Sequence, residues 1–347
     1  MKSLIYGYGE TGKSFERYLA NKNLEFEIFD ANVAKFNKEY NLKDFDQILC
    51  SPGISKSNYE KLIKEHNNVL TDIDIFFHID KSIKIGITGT NRKSTTAYHL
   101  FQLFENYSSS NLIGNIGNPV LESINNNKEF SIIELSSFQL EKMKINKLDF
   151  GILLNIDIDH LDYHGDFESY KAAKEKILLA KKSISYITCP YELYEWITNE
   201  KAMKIKFKNL PYRFEIISDK LINDSKSTNF HSLSYALDKI QNYFHSKYIL
   251  IVCGDPKKEQ NRKIIVDGPE AIYIFGHHAK EIDKCISHDN KKRFETLEDI
   301  FKFIEIKDIP HNILFSPGYP SGKDYKDFNE RGEAFNFYAK KYINEYK

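Results

Sequence analysis

No apolar stretch in the 347-residue sequence is long enough to cross a bilayer. The longest, such as Tyr248 to Cys253, covers a handful of residues, so no membrane insertion is expected. Cysteine is scarce. Cys50, Cys189, Cys253 and Cys285 show neither metal-ligand spacing nor a paired pattern, which excludes a zinc module or a disulfide scaffold and fits a reducing cytoplasm. An excess of one charge is also missing, because 49 Lys+Arg balance 49 Asp+Glu. That balance argues against a nucleic-acid partner or a basic membrane anchor. The chain runs directly into the strand-like Ser3-Leu4-Ile5-Tyr6 with no charged-then-apolar segment before it, so no secretory leader is expected. No internal repeat is evident.

What is present supports folded domains. Hydrophobic residues make up 41% and charged residues 28%, enough for cores and unlike a disordered chain. The length suggests two or three domains. Three segments each alternate short apolar runs with helical stretches, the pattern of parallel βα units. The first runs through Leu4-Ile5-Tyr6, Glu27 to Asp30 and Gln47 to Cys50. The second has Ile83 to Ile87, Phe130 to Leu135 and Phe150 to Asn155. The third has Tyr248 to Val252, Ala271 to Phe275 and Asn312 to Phe315. Boundaries near Asp80 and Leu210-Pro211 give residues 1–80, 81–209 and 210–347. The expected class is α/β, with three domains that each hold a mainly parallel sheet flanked by helices.

Two glycine-bearing turns carry chemistry. Gly7-Tyr8-Gly9-Glu10-Thr11-Gly12 follows a strand and precedes a helix, and Asp30 ends the next strand. This is a dinucleotide-type fingerprint, in which glycines let backbone N–H groups reach a diphosphate at a helix N-terminus. A nicotinamide or flavin site and another diphosphate ligand both fit, and a ligand-free tight turn is the bland alternative. The second turn is Gly86-Ile87-Thr88-Gly89-Thr90-Asn91-Arg92-Lys93-Ser94-Thr95. A strand, a Gly-containing loop and Lys-Ser opening a helix follow the logic of a P-loop. Lys93 would neutralise phosphate oxygens and Ser94 would ligate Mg²⁺. Arg92 stands where that pattern usually has Gly. The position either carries a backbone cost or adds a guanidinium contact to phosphate.

Further polar groups sit at strand ends. Glu134 closes the run Phe130 to Leu135, where parallel strands converge on a ligand crevice. It is either a metal ligand or a solvated strand end. The run Asn155 to His164 is dense in carboxylates and imidazoles. His160 reads as a metal or substrate contact, and His164 stays undecided. A helix is expected over Ser169 to Lys182, with Ala173, Ile177 and Ala180 facing a core. Its lysines, Lys174 included, read as solvated from pattern alone.

Taken in order, these motifs resemble the Mur ligase family. The residues that carry the resemblance span nearly the whole chain. They are Gly7 to Ser14, Ser51-Pro52-Gly53-Ile54, Gly86 to Thr96, Gly114-Asn115-Ile116-Gly117, Glu134-Leu135-Ser136-Ser137-Phe138-Gln139-Leu140, Asn155 to His164 and Ala172-Ala173-Lys174. Leu210 to Glu215, Asp224-Ser225-Lys226-Ser227-Thr228-Asn229, Ser316-Pro317 and Arg331-Gly332 complete the set. The Glu-Leu-Ser-Ser-Phe-Gln-Leu and Asp-Ser-Lys-Ser-Thr-Asn runs look like the D-glutamate-adding members.

The resemblance implies a Rossmann-like N-terminal domain, a P-loop ATPase-like central domain and a Rossmann-like C-terminal domain. It implies a cytoplasmic monomer and an ATP-dependent ligase joining D-glutamate to UDP-N-acetylmuramoyl-L-alanine through an acyl phosphate. Gly9, Glu10, Thr11, Asp30, Gly53 and Asn115 would then bind the UDP-linked substrate. Gly89, Thr90, Asn91, Arg92, Lys93, Ser94, Thr95, Arg213 and Asp224 would bind ATP. Ser94, Glu134, His160 and a carbamylated Lys174 would hold two Mg²⁺ ions. Lys93, Glu134, His160, Lys174 and Lys226 would act at the reacting centre. Thr228, Lys257, Ser321 and Phe328 would bind D-glutamate. The last domain would close onto the central one.

The chain departs from the family at several places. The stretch between Lys174 and Arg213 is short and lacks an Asn-x-x-Asn element that contacts adenine. Cys253-Gly254 replaces a Gly-Gly, and Ala31-Asn32 follow Asp30 where Thr and Arg are common. Two other readings follow: a homologue that binds the UDP-sugar without turnover, and a nicotinamide-dependent oxidoreductase resting on Gly7 to Gly12 and Asp30 alone.

Overall fold

A computed structural model describes residues 1–256, 263–306 and 312–345. The chain divides into two compact units, Met1–Lys208 and Asn209–Lys347. Both are α/β, with mainly parallel sheets flanked by helices.

The first unit opens with strands β1 (Lys2–Tyr6), β2 (Glu25–Phe29), β3 (Gln47–Cys50) and β4 (Val69–Leu70). They form a parallel sheet in the order β2-β1-β3-β4. Helices α1 (Glu10–Asn21), α2 (Lys56–Glu65) and α3 (Asp72–Ile79) connect it onward. Helix α1 buries Phe15 and Leu19, four residues apart on one face. Thr71 and Asp74 cap α3 reciprocally, each side chain taking the other's backbone N–H.

The second sheet contains β5 (Ile83–Thr88), β6 (Ser110–Gly114), β7 (Phe130–Glu134), β8 (Phe150–Leu153) and β9 (Lys182–Ser185), in the order β6-β7-β5-β8-β9, all parallel. Helices α4 (Lys93–Glu105), α5 (Ser137–Lys142), α6 (Leu161–His164), α7 (Phe167–Glu175) and α8 (Pro190–Thr198) complete it. Strands β5, β7 and β8 are neighbours, so the loops leaving them emerge along one edge. Register sets Glu134 beside Ile87 and Gly114. One apolar core, including Ile5, Phe15, Phe76, Ile133 and Leu140, runs beneath both sheets of this unit.

The helix expected over Ser169 to Lys182 is shorter. It ends at Glu175, and a 3-10 turn over Lys176–Leu179 leads into β9. A Cβ on Gly151 would lie 2.1 Å from the Ile177 carbonyl, so this turn packs directly on β8. Tertiary packing overrides the helical periodicity there. Strands β4, β6 and β9 were not anticipated: β4 is two residues long, and β6 and β9 open on polar residues.

The second unit has β10 (Glu215–Ile216), β11 (Leu221–Asn223), β12 (Tyr248–Cys253), β13 (Ile264–Ile265), β14 (Ala271–Phe275), β15 (Ile286–Ser287), β16 (Lys291–Phe294) and β17 (Asn312–Gly318). The main sheet runs β10-β11-β17-β12-β14-β16, parallel except for β10, while β13 and β15 pair separately. Helices α9 (Phe230–Ile240), α10 (Ala279–Cys285), α11 (Leu297–Ile306) and α12 (Phe328–Glu345) flank it. Two apolar cores lie against this sheet, and β12 is buried at every residue, as a central parallel strand should be. Among the described residues no helix is long and apolar enough to cross a membrane.

Candidate active site

The loop between β5 and α4 is stitched to the end of β8. Thr90 N–H donates to the Asn155 carbonyl at 3.0 Å and Asn91 N–H to Asn155 Oδ1 at 2.8 Å. Asn155 Nδ2 returns a bond to the Asn91 carbonyl at 3.1 Å. A Cβ on Gly89 would sit 3.0 Å from the Leu154 Cβ, so this approach favours glycine. Lys93 Nζ folds back to the Thr90 carbonyl at 2.9 Å, and Ser94 is buried in the first turn of α4 beside the partly covered Thr95. Arg92 precedes the helix with φ 67° and ψ 0°, the left-handed region. The backbone cost considered for this position is therefore present. Its exposed side chain leans toward Thr188, with Nη1 3.4 Å from Oγ1.

Beside this loop, Glu134 is fully buried at the end of β7. Oε1 accepts from Asn115 Nδ2 at 2.9 Å, whereas Oε2 has no hydrogen-bond partner. The capping box of Ser136 and Gln139 fixes how the chain leaves β7 immediately after it. A solvated strand end is thereby excluded, and a buried carboxylate oxygen is left for a cation.

Lys174 lies close by on α7. Its residue is 1% exposed, so the solvated reading from the helical pattern is overturned for this lysine. Nζ donates to the Gly89 carbonyl at 2.7 Å and lies 3.4 Å from Thr88 Oγ1. Burial, and then the charge of Lys93, push its amine well below the ordinary lysine value, against the opposing pull of Asp159 and Glu134. Tyr170, one turn earlier, pairs its hydroxyl with Thr90 Oγ1 at 2.9 Å. Pattern reading of the sequence missed Tyr170; its place four residues before Lys174 was the available hint.

His160 caps α6 at φ 51°, a second strained position. Its Nε2 lies 3.5 Å from Asp159 Oδ2, and its ring meets Phe138 edge-on at 4.9 Å. The undecided His164 turns inward. It is buried, with Nε2 3.0 Å from Ser137 Oγ, and burial lowers its imidazole pKa. That is a packing role.

Among the described residues no three His, Cys, Asp or Glu side chains converge as a metal cluster. Zinc is a poor fit. Mg²⁺ fits, because it keeps waters and phosphate oxygens and needs only one or two carboxylates, and Glu134 Oε2 supplies an unpartnered one.

In the first glycine turn, Gly7 has φ 94° and a Cβ on Gly12 would lie 2.3 Å from the Gly7 carbonyl. Asp30 braces this turn, accepting from Tyr8 N–H at 2.7 Å and Asn32 N–H at 2.8 Å. A Cβ on Gly9 or Gly53 would meet nothing, so both face open space. Glu10 pairs with Lys13 at 2.8 Å, and Thr11 is partly exposed.

In the second unit, β11, β12 and β17 end together. Asp224 Oδ1 accepts from Phe214 N–H and Oδ2 from Ser316 Oγ, both at 2.9 Å. Desolvation pushes its carboxyl up to about 7 despite these donors and the nearby Arg213. Tyr212 and Phe214, on either side of Arg213, both have positive φ. Lys226 Nζ sits 3.6 Å from the centre of the Phe328 ring. Thr228 is half-buried, and Ser321 is nearly buried after β17. Arg331 is fully buried and donates to Ser225 Oγ at 3.1 Å, the Ser225 carbonyl at 2.7 Å and the Tyr319 carbonyl at 2.9 Å. It holds these loops together, a role its sequence position did not announce. Lys257 lies outside the described residues.

Residues 87–249 match the family model of the Mur ligase middle domain. Over that stretch the chain is similar to the Mur ligases. It is 29% identical to a UDP-N-acetylmuramoylalanine–D-glutamate ligase of Francisella tularensis subsp. tularensis (strain FSC 198), covering 96% of this chain and 94% of the relative. That alignment runs over 404 residues, more than the 347 of this chain. The relative therefore carries segments that this chain lacks, in keeping with its short central stretch. In fold, the chain is similar to the MurF ligase of Thermotoga maritima solved with ADP, at TM-score 0.61 and 15% identity over 98% of this chain and 95% of that one. It is also similar to the UDP-N-acetylmuramate-alanine ligase MurC of the same organism, at TM-score 0.54 and 14% identity over 100% and 99%.

Proposed function

We propose that this chain is a Mur ligase, an ATP-dependent enzyme that joins D-glutamate to UDP-N-acetylmuramoyl-L-alanine in peptidoglycan precursor synthesis, acting as a cytoplasmic monomer. The observation that carries the reading is the buried Glu134, with one unpartnered oxygen, beside a phosphate-type loop and a buried lysine. The 29% identity to a ligase named for that reaction, over nearly the whole of both chains, supports the choice of substrates.

Residues 1–80 bind the UDP-linked substrate, 81–209 bind ATP and 210–347 bind D-glutamate. Gly9, Glu10, Thr11, Asp30 and Gly53 form the nucleotide-sugar end, with Asp30 acting through the brace it gives the Gly7 turn. Asn115, held by Glu134, contacts the muramoyl-alanine part. Gly89 to Thr95, Arg213 and Asp224 take the nucleotide. Thr228, Lys257, Ser321 and Phe328 take D-glutamate, and Lys226 lies at the reacting centre. Ser94, Glu134, His160 and a carbamylated Lys174 would hold two Mg²⁺ ions, which when bound offset charge on the transferred phosphoryl group. The carbamate rests on the burial of Lys174 and its place beside the loop. CO₂ adds to a neutral amine and leaves a carboxylate-like group.

The chemistry is two displacements. The alanyl carboxylate takes the terminal phosphoryl of ATP, and ADP leaves. The neutral amine of D-glutamate then attacks the acyl carbon. A C–N bond forms, the C–O bond to phosphate breaks, and the amine loses a proton to solvent. Lys93 supplies fixed positive charge to the phosphates. The P-loop backbone orients them, and burial of Glu134 and Lys174 keeps water from that side of the site.

A chain that only bound the UDP-sugar would not need Lys93, Glu134 and Lys174 together, and an oxidoreductase leaves all three unexplained. Mass spectrometry of the protein incubated with ATP, Mg²⁺, UDP-N-acetylmuramoyl-L-alanine and D-glutamate tests the reading. The UDP-linked dipeptide should appear only with all components. Tight binding of the UDP-sugar with no dipeptide would instead establish the binding-only chain.

A further inference from the structure

Lys142 is a buried cation for which the reaction above has no use. It closes α5 and is 1% exposed. Among the described residues it makes no ion pair with a carboxylate. Its Nζ donates instead to the Pro52 carbonyl at 2.7 Å and to the Tyr163 hydroxyl. That hydroxyl also reaches the Ile54 carbonyl at 3.4 Å, and the Tyr59 hydroxyl donates to the Lys142 carbonyl at 3.1 Å. The Tyr163 ring lies 4.8 Å from the same ammonium.

These bonds join two turns far apart in sequence. One is Ser51-Pro52-Gly53-Ile54, held at both the Pro52 and Ile54 carbonyls. The other is the one-turn helix α6, which His160 caps and which carries Tyr163. Desolvating an ammonium is costly, and an apolar side chain of similar length would fill the same space without that cost. What an apolar chain could not do is hold both turns.

We propose that Lys142 is a positioning residue, which clamps the Pro52 carbonyl and the Tyr163 hydroxyl and so sets the nucleotide-sugar turn at Gly53 against the turn that carries His160. Lys142 touches neither substrate. It fixes the distance between the bound UDP-sugar and the phosphoryl-transfer side of the site. This inference rests on the ligase reading above.

The test compares wild type with Lys142→Met, Tyr163→Phe and the double variant. Steady-state phosphate release, calorimetric binding of the UDP-substrate and thermal melting are read on each full-length chain. In Lys142→Met, kcat should fall by about tenfold to a hundredfold, as for misplaced reacting groups, while the KM for ATP stays within about twofold. Tyr163→Phe should lose less. The double variant should be no slower than Lys142→Met, because both changes break one clamp. A kcat within about twofold of wild type in folded Lys142→Met, whatever its melting temperature, overturns the proposal. If Lys142→Met does not fold, Tyr163→Phe decides alone: a lowered kcat at an unchanged ATP KM upholds the clamp, and an unchanged kcat removes it. A wild-type chain that releases no phosphate with both substrates sinks the ligase reading and this inference with it. An active wild type with indifferent variants sinks only the inference.

Discussion

Replacing Arg92 with glycine should make the protein more stable. Arg92 is held at φ 67°, where an L-residue costs about 1–2 kcal/mol. Glycine removes that cost but gives the unfolded chain more freedom, which takes back about 0.5–1 kcal/mol. The bond from Arg92 Nη1 to Thr188 is long and exposed, so its loss counts for little. The net gain is about 0.5–1 kcal/mol. For a unit the size of Met1–Lys208 this raises the melting temperature by about 1–4 °C. Differential scanning calorimetry of wild type, Arg92→Gly and Arg92→Ala checks it. Alanine keeps the strained backbone and loses only the guanidinium, so Arg92→Ala should not share the gain. A lower melting temperature in Arg92→Gly, or an equal rise in Arg92→Ala, would refute the argument from backbone strain. The same variants resolve the second role considered for Arg92. If its guanidinium contacts phosphate, both should bind ATP more weakly, by a similar factor.

Glu134→Gln should lower phosphate release by about a hundredfold or more, because it removes the charge of the unpartnered oxygen that fits Mg²⁺; its melting temperature should not fall, since a buried charge is also removed. Gly12→Ala should cost about 2 kcal/mol or more and abolish UDP-substrate binding in calorimetry, because the new Cβ would lie 2.3 Å from the Gly7 carbonyl. Asp224 has a folded pKa of about 7 against an unfolded 3.8. Its contribution is fully present below the unfolded value and is lost as pH rises through about 7, by at most about 4 kcal/mol. Melting curves from pH 4 to 8 should therefore lose this part of their pH dependence in Asp224→Asn. Carbon-13 NMR after exposure to labelled bicarbonate should show a carbamate signal in wild type that is missing from Lys174→Ala.

The parts legible in the sequence were those that local rules dictate. The apolar runs that became β1, β3, β5, β7, β8, β12, β14 and β17 are buried parallel strands, and such strands read as continuous hydrophobic segments. Both glycine turns sit where strand and helix signals placed them. Lys174 shows where local rules stop. A helix reading Tyr-Lys-Ala-Ala-Lys looks solvated, and only its packing beneath Gly89 buries the amine. Resemblance, not periodicity, singled it out. Lys142 gave a fainter signal: it follows Phe138 by one helical turn, and Tyr163 meets both. The strain at Arg92 and His160 was unreadable for a different reason. Arg does not advertise positive φ and His does so only weakly, so their geometry is imposed by the loops around them.

Inorganic phosphate release with ATP, Mg²⁺ and UDP-N-acetylmuramoyl-L-alanine, with and without D-glutamate and beside Lys174→Ala, tests the central claim most directly. Sustained release that requires both substrates and disappears in the variant is the predicted result. No release at saturating ATP from folded protein that still binds the UDP-substrate would contradict it.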